Sequence, residues 1–275
     1  MSGPEVTWLT VFLDIPAQRT APAIDFWQEV TGYGLSAWRG HKVEFATFVP
    51  PGGDAYLRVQ RTQSGAGGFH LDLHTEDPER LEAVALSLGA RRHDCAGPVR
   101  ALVSPGGMAF CAVSSETTQA HEPNAGITGQ PGRPPPARWP TGHTSMVDQL
   151  CLDVPGTSFG TECKFWAMLT GWDLRPGALP EFSYLGRPSE LPVRLLFQRL
   201  GAPAPGSSQR DCAAVSAHLD LATTDVSAEV LRHENFGASI WENHRLWTTM
   251  QAPTGELYCI TSRDPTTGTL MGTVP

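Results

Sequence analysis

The sequence is poor in charged residues, which make up 17% of its 275 residues. Acidic side chains outnumber basic ones by 28 to 20, so the formal net charge is −8 with neutral histidines. A chain with this balance offers no broad basic surface to neutralise phosphates or an anionic membrane. We therefore expect no nucleic-acid partner and no membrane partner.

Long apolar runs are also missing. No segment approaches the length needed to span a bilayer, and residues 1–5 lack the basic start and apolar run of a signal peptide. These absences predict a cytoplasmic protein.

Several common catalytic and metal-binding patterns are absent as well. None of the six cysteines forms a Cys-x-x-Cys pair, so neither a zinc knuckle nor a small disulfide scaffold is expected. The chain has no Gly-x-Ser-x-Gly, no phosphate-binding glycine loop and no His-Glu-x-x-His. Buried thiols are the expectation for the cysteines, including Cys111 and Cys259 within apolar strands.

What the sequence does contain is an internal repeat. The Leu-Asp-Ile-Pro of residues 13–16 returns as Leu-Asp-Val-Pro 139 residues later (152 − 13). The His-Leu-Asp-Leu of residues 70–73 returns 148 residues later (218 − 70), which indicates an insertion in the second copy. Repetition at this length predicts two copies of one domain.

The repeat defines the expected domain organisation. We assign domain 1 to residues 5–115 and domain 2 to residues 144–265. Residues 116–143, rich in proline and glycine, are expected to form a linker. Within each domain, apolar strand patterns alternate with helical ones in two strand-helix-strand-strand-strand (βαβββ) modules.

The repeated motifs resemble a known superfamily. They are Leu-Asp-x-Pro, a helical Phe-Trp, Phe-Gln-Arg, His-Leu-Asp-Leu and Pro-x-Gly-x-x-Phe/Tyr-Cys. Together they are similar to the vicinal oxygen chelate superfamily, which includes glyoxalases, bleomycin-resistance proteins and ring-cleaving dioxygenases. More narrowly, the chain resembles the glyoxalase-like domain branch. The resemblance implies an α+β fold of tandem glyoxalase-like domains, whose modules form curved mixed sheets with helices outside.

The resemblance also identifies positions where metal-using relatives hold a divalent ion. Four of them carry residues unsuited to that role: Thr7, Met146, Ala109 and Leu257. The remaining four are weak metal candidates: His70, Gln60, His218 and Gln198. One imidazole and one amide per domain fall short of the three protein ligands that a stable site needs. We expect no tightly bound metal, with iron, zinc, manganese or nickel as the alternative.

The strand carrying His70 offers candidate catalytic residues. Residues two apart share a face of a strand, so His70, Asp72 and His74 point the same way. The carboxylate of Asp72 could orient the imidazole of His70 for acid-base work. Alternatively, the two side chains satisfy each other on a half-buried sheet surface.

Aromatic and polar side chains in both domains predict a pocket for a flat organic ligand. The candidate ligand-binding residues are Trp38, Tyr56, Arg58, Gln60, Gln198, His218, Asp220, Trp241, His244 and Trp247. The competing interpretation is that several of these rings fill the core or a domain contact.

These observations support two functional hypotheses. In the first, the protein binds a small aromatic or amphiphilic molecule in a cup, without a tightly bound metal, and thereby sequesters it. In the second, it is a lyase, isomerase or dioxygenase for a small carbonyl or catechol-like substrate, with one metal ion or with His70 and Asp72 as a metal-free base pair. The partner is a small molecule in either case, and the chain is expected to be a monomer or a homodimer.

Overall fold

The computed structural model describes residues 5–63, 65–93, 99–115, 132–201 and 214–271. The first repeat forms an eight-stranded sheet from β1 (Trp8–Pro16), β2 (Gly34–Leu35), β3 (Phe45–Val49), β4 (Leu57–Thr62), β5 (Gly68–Thr75), β6 (Arg91–Arg92), β7 (Arg100–Val103) and β8 (Ala109–Ser114). The strand order is β2-β3-β4-β1-β5-β8-β7-β6. Strands β5 and β8 run parallel, whereas β7 pairs with β8 in the antiparallel sense.

The second repeat forms a nine-stranded sheet of the same design. Its strands are β9 (Ala137–Arg138), β10 (Thr144–Pro155), β11 (Asp173–Pro176), β12 (Phe182–Gly186), β13 (Arg194–Leu200), β14 (Ser216–Thr223), β15 (Ser239–Asn243), β16 (Trp247–Gln251) and β17 (Leu257–Ser262). The order is β11-β12-β13-β10-β14-β17-β16-β15, and β9 pairs with the start of β10.

In the described chain, one α-helix follows the first strand of each of the four modules. These helices are α1 (Thr20–Thr31), α2 (Pro78–Ser87), α3 (Phe159–Thr170) and α4 (Val226–Glu234). Helices α1 and α3 end at Gly32 and Gly171, whose φ angles of 71° and 72° favour glycine. Asp77 and Asp225 cap the starts of α2 and α4 by accepting backbone hydrogen bonds. None of the helices in the described ranges is long and apolar enough to cross a membrane.

The expected α+β fold with two repeated mixed sheets is confirmed. The short edge strands and the pair β11 and β12 were not predicted. One end of the expected linker is also ordered, because Ala137 and Arg138 pair with Ser145 and Thr144. Residues 116–131 of that linker lie outside the described residues.

The described chain divides into two compact units, each of which draws on both repeats. Unit 1 comprises the described parts of Met1–Phe12, Gly68–Pro123 and Cys151–Ala217. Unit 2 comprises those of Leu13–Gly67, Asn124–Leu150 and His218–Pro275.

Unit 1 has an aromatic core between α3 and the strand β8. The ring of Phe110 contacts those of Phe165 and Trp166, with centroids 5.9 and 5.2 Å apart. Beside them, the fully buried carboxylate of Glu162 accepts hydrogen bonds from the Ser104 hydroxyl at 2.5 Å and the Trp166 indole at 2.8 Å. A backbone N–H at Gly106 supplies a third hydrogen bond, at 2.7 Å. The apolar contact between α3 and β8 therefore encloses a carboxylate whose oxygens are hydrogen-bonded.

Unit 2 contains a buried ionic network centred on Glu229 of α4. The carboxylate accepts hydrogen bonds from the ring nitrogens of His143 at 2.6 Å and His233 at 3.0 Å. It also accepts two from Arg232, at 2.8 and 3.0 Å. The other ring nitrogen of His233 lies 2.8 Å from the Tyr258 hydroxyl. Every polar partner of this network therefore comes from within the unit.

Candidate functional site

Three potential ligand atoms converge in unit 2. His218 and Asp220 share a face of β14, and Cys259 of β17 lies directly across from Asp220 in the parallel ladder. The imidazole nitrogen, the carboxylate oxygen and the thiol sulfur all lie within 4.8 Å of one another. We call these three residues the unit 2 cluster.

Asp220 and Cys259 of the unit 2 cluster are buried, His218 is half-buried, and the carboxylate is incompletely paired. Asp220 Oδ1 lies 3.4 Å from His218 Nε2, yet it accepts no hydrogen bond from any described residue. Burial raises the pKa of the Cys259 thiol, and a hydrogen bond with His218 opposes that effect. A buried oxygen without a hydrogen-bond donor is energetically costly.

An aromatic ring lies on the same face as the cluster. On the antiparallel strand β16, Thr249 pairs with Cys259 and Trp247 pairs with Thr261. Cross-strand partners point to the same side, so the Trp247 indole stands two residues, about 7 Å, along the sheet from the cluster. The imidazole of His244 stacks on this indole with ring centroids 4.3 Å apart. We call this side of β14, β17 and β16 the cluster face.

A second polar atom without a partner occurs in the neighbouring strand β10. Gln149 is buried, and its Nε2 makes no hydrogen bond to any described residue. Unit 2 therefore contains an unpaired buried donor as well as an unpaired buried acceptor.

The corresponding residues of unit 1 form a second cluster. His70 and Asp72 of β5 lie with Cys111 of β8 so that their ligand atoms are within 4.8 Å of one another. Asp72 and Cys111 are half-buried, in contrast to their counterparts Asp220 and Cys259. The His70 ring stacks on Phe12 at 4.4 Å. We call His70, Asp72 and Cys111 the unit 1 cluster.

Several predicted site residues lie outside the two clusters. His74 is buried, and its Nε2 lies 2.8 Å from the Thr10 hydroxyl, so it belongs to a separate contact. The backbone carbonyl of His74 accepts hydrogen bonds from the backbone N–H and the hydroxyl of Thr7, one of the positions unsuited to a metal. Gln60 and Gln198 are half-buried opposite Phe45 and Phe182.

The predicted pocket aromatics have different environments. Tyr56 is fully buried and donates a hydrogen bond to the Val147 carbonyl at 2.7 Å. Trp38 is half-exposed beneath the guanidinium of Arg61, 4.1 Å from the ring centroid. Trp241 is 60% exposed at a bulge in the edge strand β15.

Two further predicted residues differ in accessibility. Arg58 is buried on β4 opposite Thr47. His244 remains partly exposed, and Glu242 Oε2 lies 3.6 Å from its Nε2. Of the predicted ligand-binding residues, His218, Asp220, Trp247 and His244 therefore come together at the cluster face.

The proximity of a cysteine to each His-Asp pair was not predicted. Cys111 and Cys259 were expected only to be buried thiols, and one imidazole and one amide were expected as ligands in each domain. The signal was present, because the Phe/Tyr-Cys motif recurs in both repeats. Strand register was needed to place each thiol opposite an aspartate. The sequence contains no comparable signal for the burial of Gln149 without a hydrogen bond at its Nε2.

A family model described as "Glyoxalase-like domain" matches residues 10–113 and 149–261. The chain belongs to this glyoxalase-like family. Because both repeats match, it is a tandem member of the vicinal oxygen chelate superfamily. No curated protein sequence matches it.

Solved structures similar to this glyoxalase-like protein have low sequence identity, so they support the fold alone. A xylose isomerase-like TIM barrel/4-hydroxyphenylpyruvate dioxygenase fusion protein has a TM-score of 0.60 and 13% identity, covering 94% of this chain. The chain spans about half of that protein, 49%. A 4-hydroxymandelate synthase mutant from Streptomyces coelicolor has a TM-score of 0.55 and 10% identity, covering 94% of this chain and 92% of its own. A homoprotocatechuate 2,3-dioxygenase mutant from Brevibacterium fuscum has a TM-score of 0.55 and 12% identity, covering 96% and 73%.

The glyoxalase-like fold raises the question of whether the clusters suit a metal ion. Zinc-type ligands stand about 2.0–2.3 Å from the ion, which places tetrahedral ligand atoms about 3.5 Å apart. Within each cluster, the three ligand atoms lie no more than 4.8 Å apart, which is compatible with that separation. Together with the unpaired oxygen of Asp220, this donor set fits a divalent cation.

Proposed function

We propose that the protein binds a small aromatic or amphiphilic molecule on the cluster face of unit 2. The observation that carries this proposal is the shared face of Trp247 and Asp220, an indole beside a buried carboxylate oxygen without a hydrogen bond. The indole would cover a flat apolar part of the ligand, and the polar atoms would orient it. Sequestration of that molecule is the biochemical role this arrangement supports.

The two units are not equivalent in this respect. In the first repeat, the position of Trp247 is occupied by Val99, 148 residues earlier (247 − 148). Valine has no ring for stacking on a flat ligand. We therefore assign the binding role to unit 2.

Tryptophan fluorescence and thermal unfolding with a panel of aromatic natural products test this proposal. We expect at least one compound to quench fluorescence and raise Tm, and Trp247→Ala to weaken its binding about tenfold through lost stacking and burial. Trp241→Ala, which removes an exposed indole from the edge strand, is the matched control and should leave the affinity unchanged. A panel without effect on the wild-type protein would refute the proposal.

The second candidate function is a metal-dependent lyase, isomerase or dioxygenase acting on a small carbonyl or catechol-like substrate. It is supported by three convergent donors in each unit, whereas one imidazole and one amide were expected from the sequence. The shortage of ligands that favoured a metal-free cup is therefore smaller than the sequence indicated. A bound divalent ion would act as a Lewis acid on a substrate oxygen. His218, Asp220 and Cys259 would hold it.

Metal analysis distinguishes the two candidates. The protein would be purified without chelator or histidine tag and its metal content measured by mass spectrometry. About one equivalent of a transition metal per chain would favour the enzyme. Absence of metal, together with an unchanged Tm when metals are added to the apoprotein, would exclude it.

A further inference from the structure

We propose that the edge strand β15 and the adjoining end of α4 form a contact surface for a second copy of this chain. The inference goes beyond both functions proposed above, because it concerns the outer edge of the sheet rather than the cluster face. The surface consists of four apolar side chains of unit 2, which we call the edge patch: Leu231, Phe236, Ile240 and Trp241.

The first argument is the exposure of the edge patch. Leu231 and Trp241 are 61% and 60% exposed, and Ile240 and Phe236 are 41% and 37% exposed. Single exposed apolar residues are common, but several grouped on one surface indicate an interaction site.

The register of the sheet shows that the edge patch spans both β15 and α4. Ile240 pairs with Met250, and Met250 pairs with Tyr258, whose hydroxyl lies 2.8 Å from His233 of α4. Cross-strand partners share a face, so Ile240 lies on the side of the sheet that carries α4. Helix α4 and strand β15 are in contact. The exposed side chains of the helix and the strand therefore belong to one surface.

The second argument is the contrast between β15 and the other sheet edges in the described ranges. Strands β2 and β6 have two residues each, and β6 consists of two arginines. Strand β11 carries an ion pair between Asp173 and Arg175 and ends at Pro176, which lacks a backbone donor. Short strands, charges and proline protect an edge against association. Strand β15 has five residues, of which only Glu242 is charged, so it lacks this protection.

A β-bulge limits the form that the contact can take. It lies between Ile240 and Glu242 and leaves Trp241 without a partner in the ladder with β16. Such an irregularity interrupts the register that a long strand-to-strand pairing needs. The contact between two copies is therefore packing of side chains, with Trp241 at its centre, rather than continuous extension of the sheet.

The third argument, the neutrality of the edge patch, favours a second copy over a different protein. In a two-fold contact the same surface is present on both sides, so a charge on it meets like charges. Four uncharged side chains avoid this repulsion, and aromatic rings attract each other. The chain's net charge of −8 opposes association only weakly, because salt at physiological concentration screens charges beyond about 8 Å.

The size of the edge patch indicates a reversible dimer. The four exposed fractions correspond to roughly 400 Å² of apolar surface, since one aromatic side chain contributes about 150–250 Å². A specific interface buries about 800 Å² per partner, of which somewhat more than half is apolar. The edge patch thus supplies most of the apolar part, and the polar residues of β15 supply part of the rim.

Analytical ultracentrifugation of the full chain, from about 1 to 200 μM, tests this proposal. We expect the mass to rise with concentration to twice the 29.7 kDa of one chain. Ile240→Lys places a charge where each copy meets the other, so the dissociation constant should rise at least about tenfold. Leu174→Lys is the matched control, because Leu174 is 44% exposed on the edge strand β11 and should not affect the dimer.

The other outcomes contradict the proposal. A wild-type protein that stays monomeric over the whole range would overturn it. Equal dissociation constants for the wild type and Ile240→Lys, or an equal loss in Leu174→Lys, would overturn the assignment to β15. Apolar contacts are not screened by salt, so dissociation of the dimer in concentrated sodium chloride would also refute it.

Hydrogen exchange of the wild-type protein tests the same surface without a substitution that could disturb folding. At a concentration where the dimer is populated, peptides from residues 231–243 should exchange more slowly than in dilute solution. Peptides from β11 should exchange equally at both concentrations. Equal exchange of residues 231–243 at both concentrations would overturn the proposal.

Discussion

Removal of Glu229 should destabilise the protein far more than loss of an ordinary ion pair. Its carboxylate is fully buried and accepts hydrogen bonds from His143, His233 and Arg232. Glu229→Ala leaves the half-buried Arg232 without its counter-charge, and breaking a buried ion pair in this way costs about 3–5 kcal/mol. Arg232 keeps some support, because it also donates to two backbone carbonyls at the end of α1, including that of Val30.

Urea denaturation at pH 7, followed by circular dichroism, measures this loss. The matched control is Glu79→Ala, which removes an exposed carboxylate 2.5 Å from Arg100 and should change stability by less than about 1 kcal/mol. Glu229→Gln, which keeps the shape and one acceptor oxygen, should fall between these two. Equal destabilisation by Glu229→Ala and Glu79→Ala would refute the reasoning.

The same network sets the pH range of the effect. Burial raises the pKa of Glu229, but hydrogen bonds from His233 and Arg232 outweigh it and hold the pKa far below its usual value. A lowered folded-state pKa gives stability that is complete above the unfolded pKa of about 4.3 and is lost as pH falls further. The stabilisation that comes from the ionised Glu229 carboxylate itself should therefore be complete near neutrality and be lost only in acid.

Three further predictions follow from other contacts. Burial lowers the pKa of His233 in the folded protein below the unfolded value of about 6.5. The unfolded chain therefore binds more protons near pH 6.5, and stability should fall as the pH decreases through that value. His233→Gln should flatten this part of a plot of urea midpoint against pH. A Cβ at Gly106 would lie 2.6 Å from the Glu162 carboxylate, so Gly106→Ala should cost about 1–3 kcal/mol in urea unfolding, whereas Gly160→Ala, with open space around it, should not destabilise. Tyr56→Phe removes the buried hydrogen bond to the Val147 carbonyl and should lower stability by about 1–3 kcal/mol, and an unchanged Tm would contradict the hydrogen bond.

Much of the fold was predictable because the repeat shows each element twice. The helix ending at Gly32 and its copy ending at Gly171 combine an apolar stripe with a glycine terminator. The edge strands, such as the two-residue Arg91–Arg92, were not predictable, because so short a segment has no measurable alternation. Their pairing depends on the neighbouring strand rather than on local sequence.

The candidate site was predictable only in part. His218 and Asp220 were identifiable because both lie on one strand, where a period of two fixes their common face. Cys259 is 39 residues from Asp220 (259 − 220), and only strand register places them together. The burial of Tyr56 could not be predicted, because alternation along a strand does not show which rings the core encloses.

The discontinuity of the two units constrains how the chain can fold during synthesis. In unit 2, Phe26 of α1 packs against Tyr258 of β17 with ring centroids 5.7 Å apart, although 232 residues separate them (258 − 26). The apolar side of α1 thus remains without this partner until nearly the whole chain has left the ribosome. Contacts of such long sequence separation slow folding and prolong exposure of apolar surface. Truncation before β17 should therefore yield an aggregating fragment rather than a soluble first half.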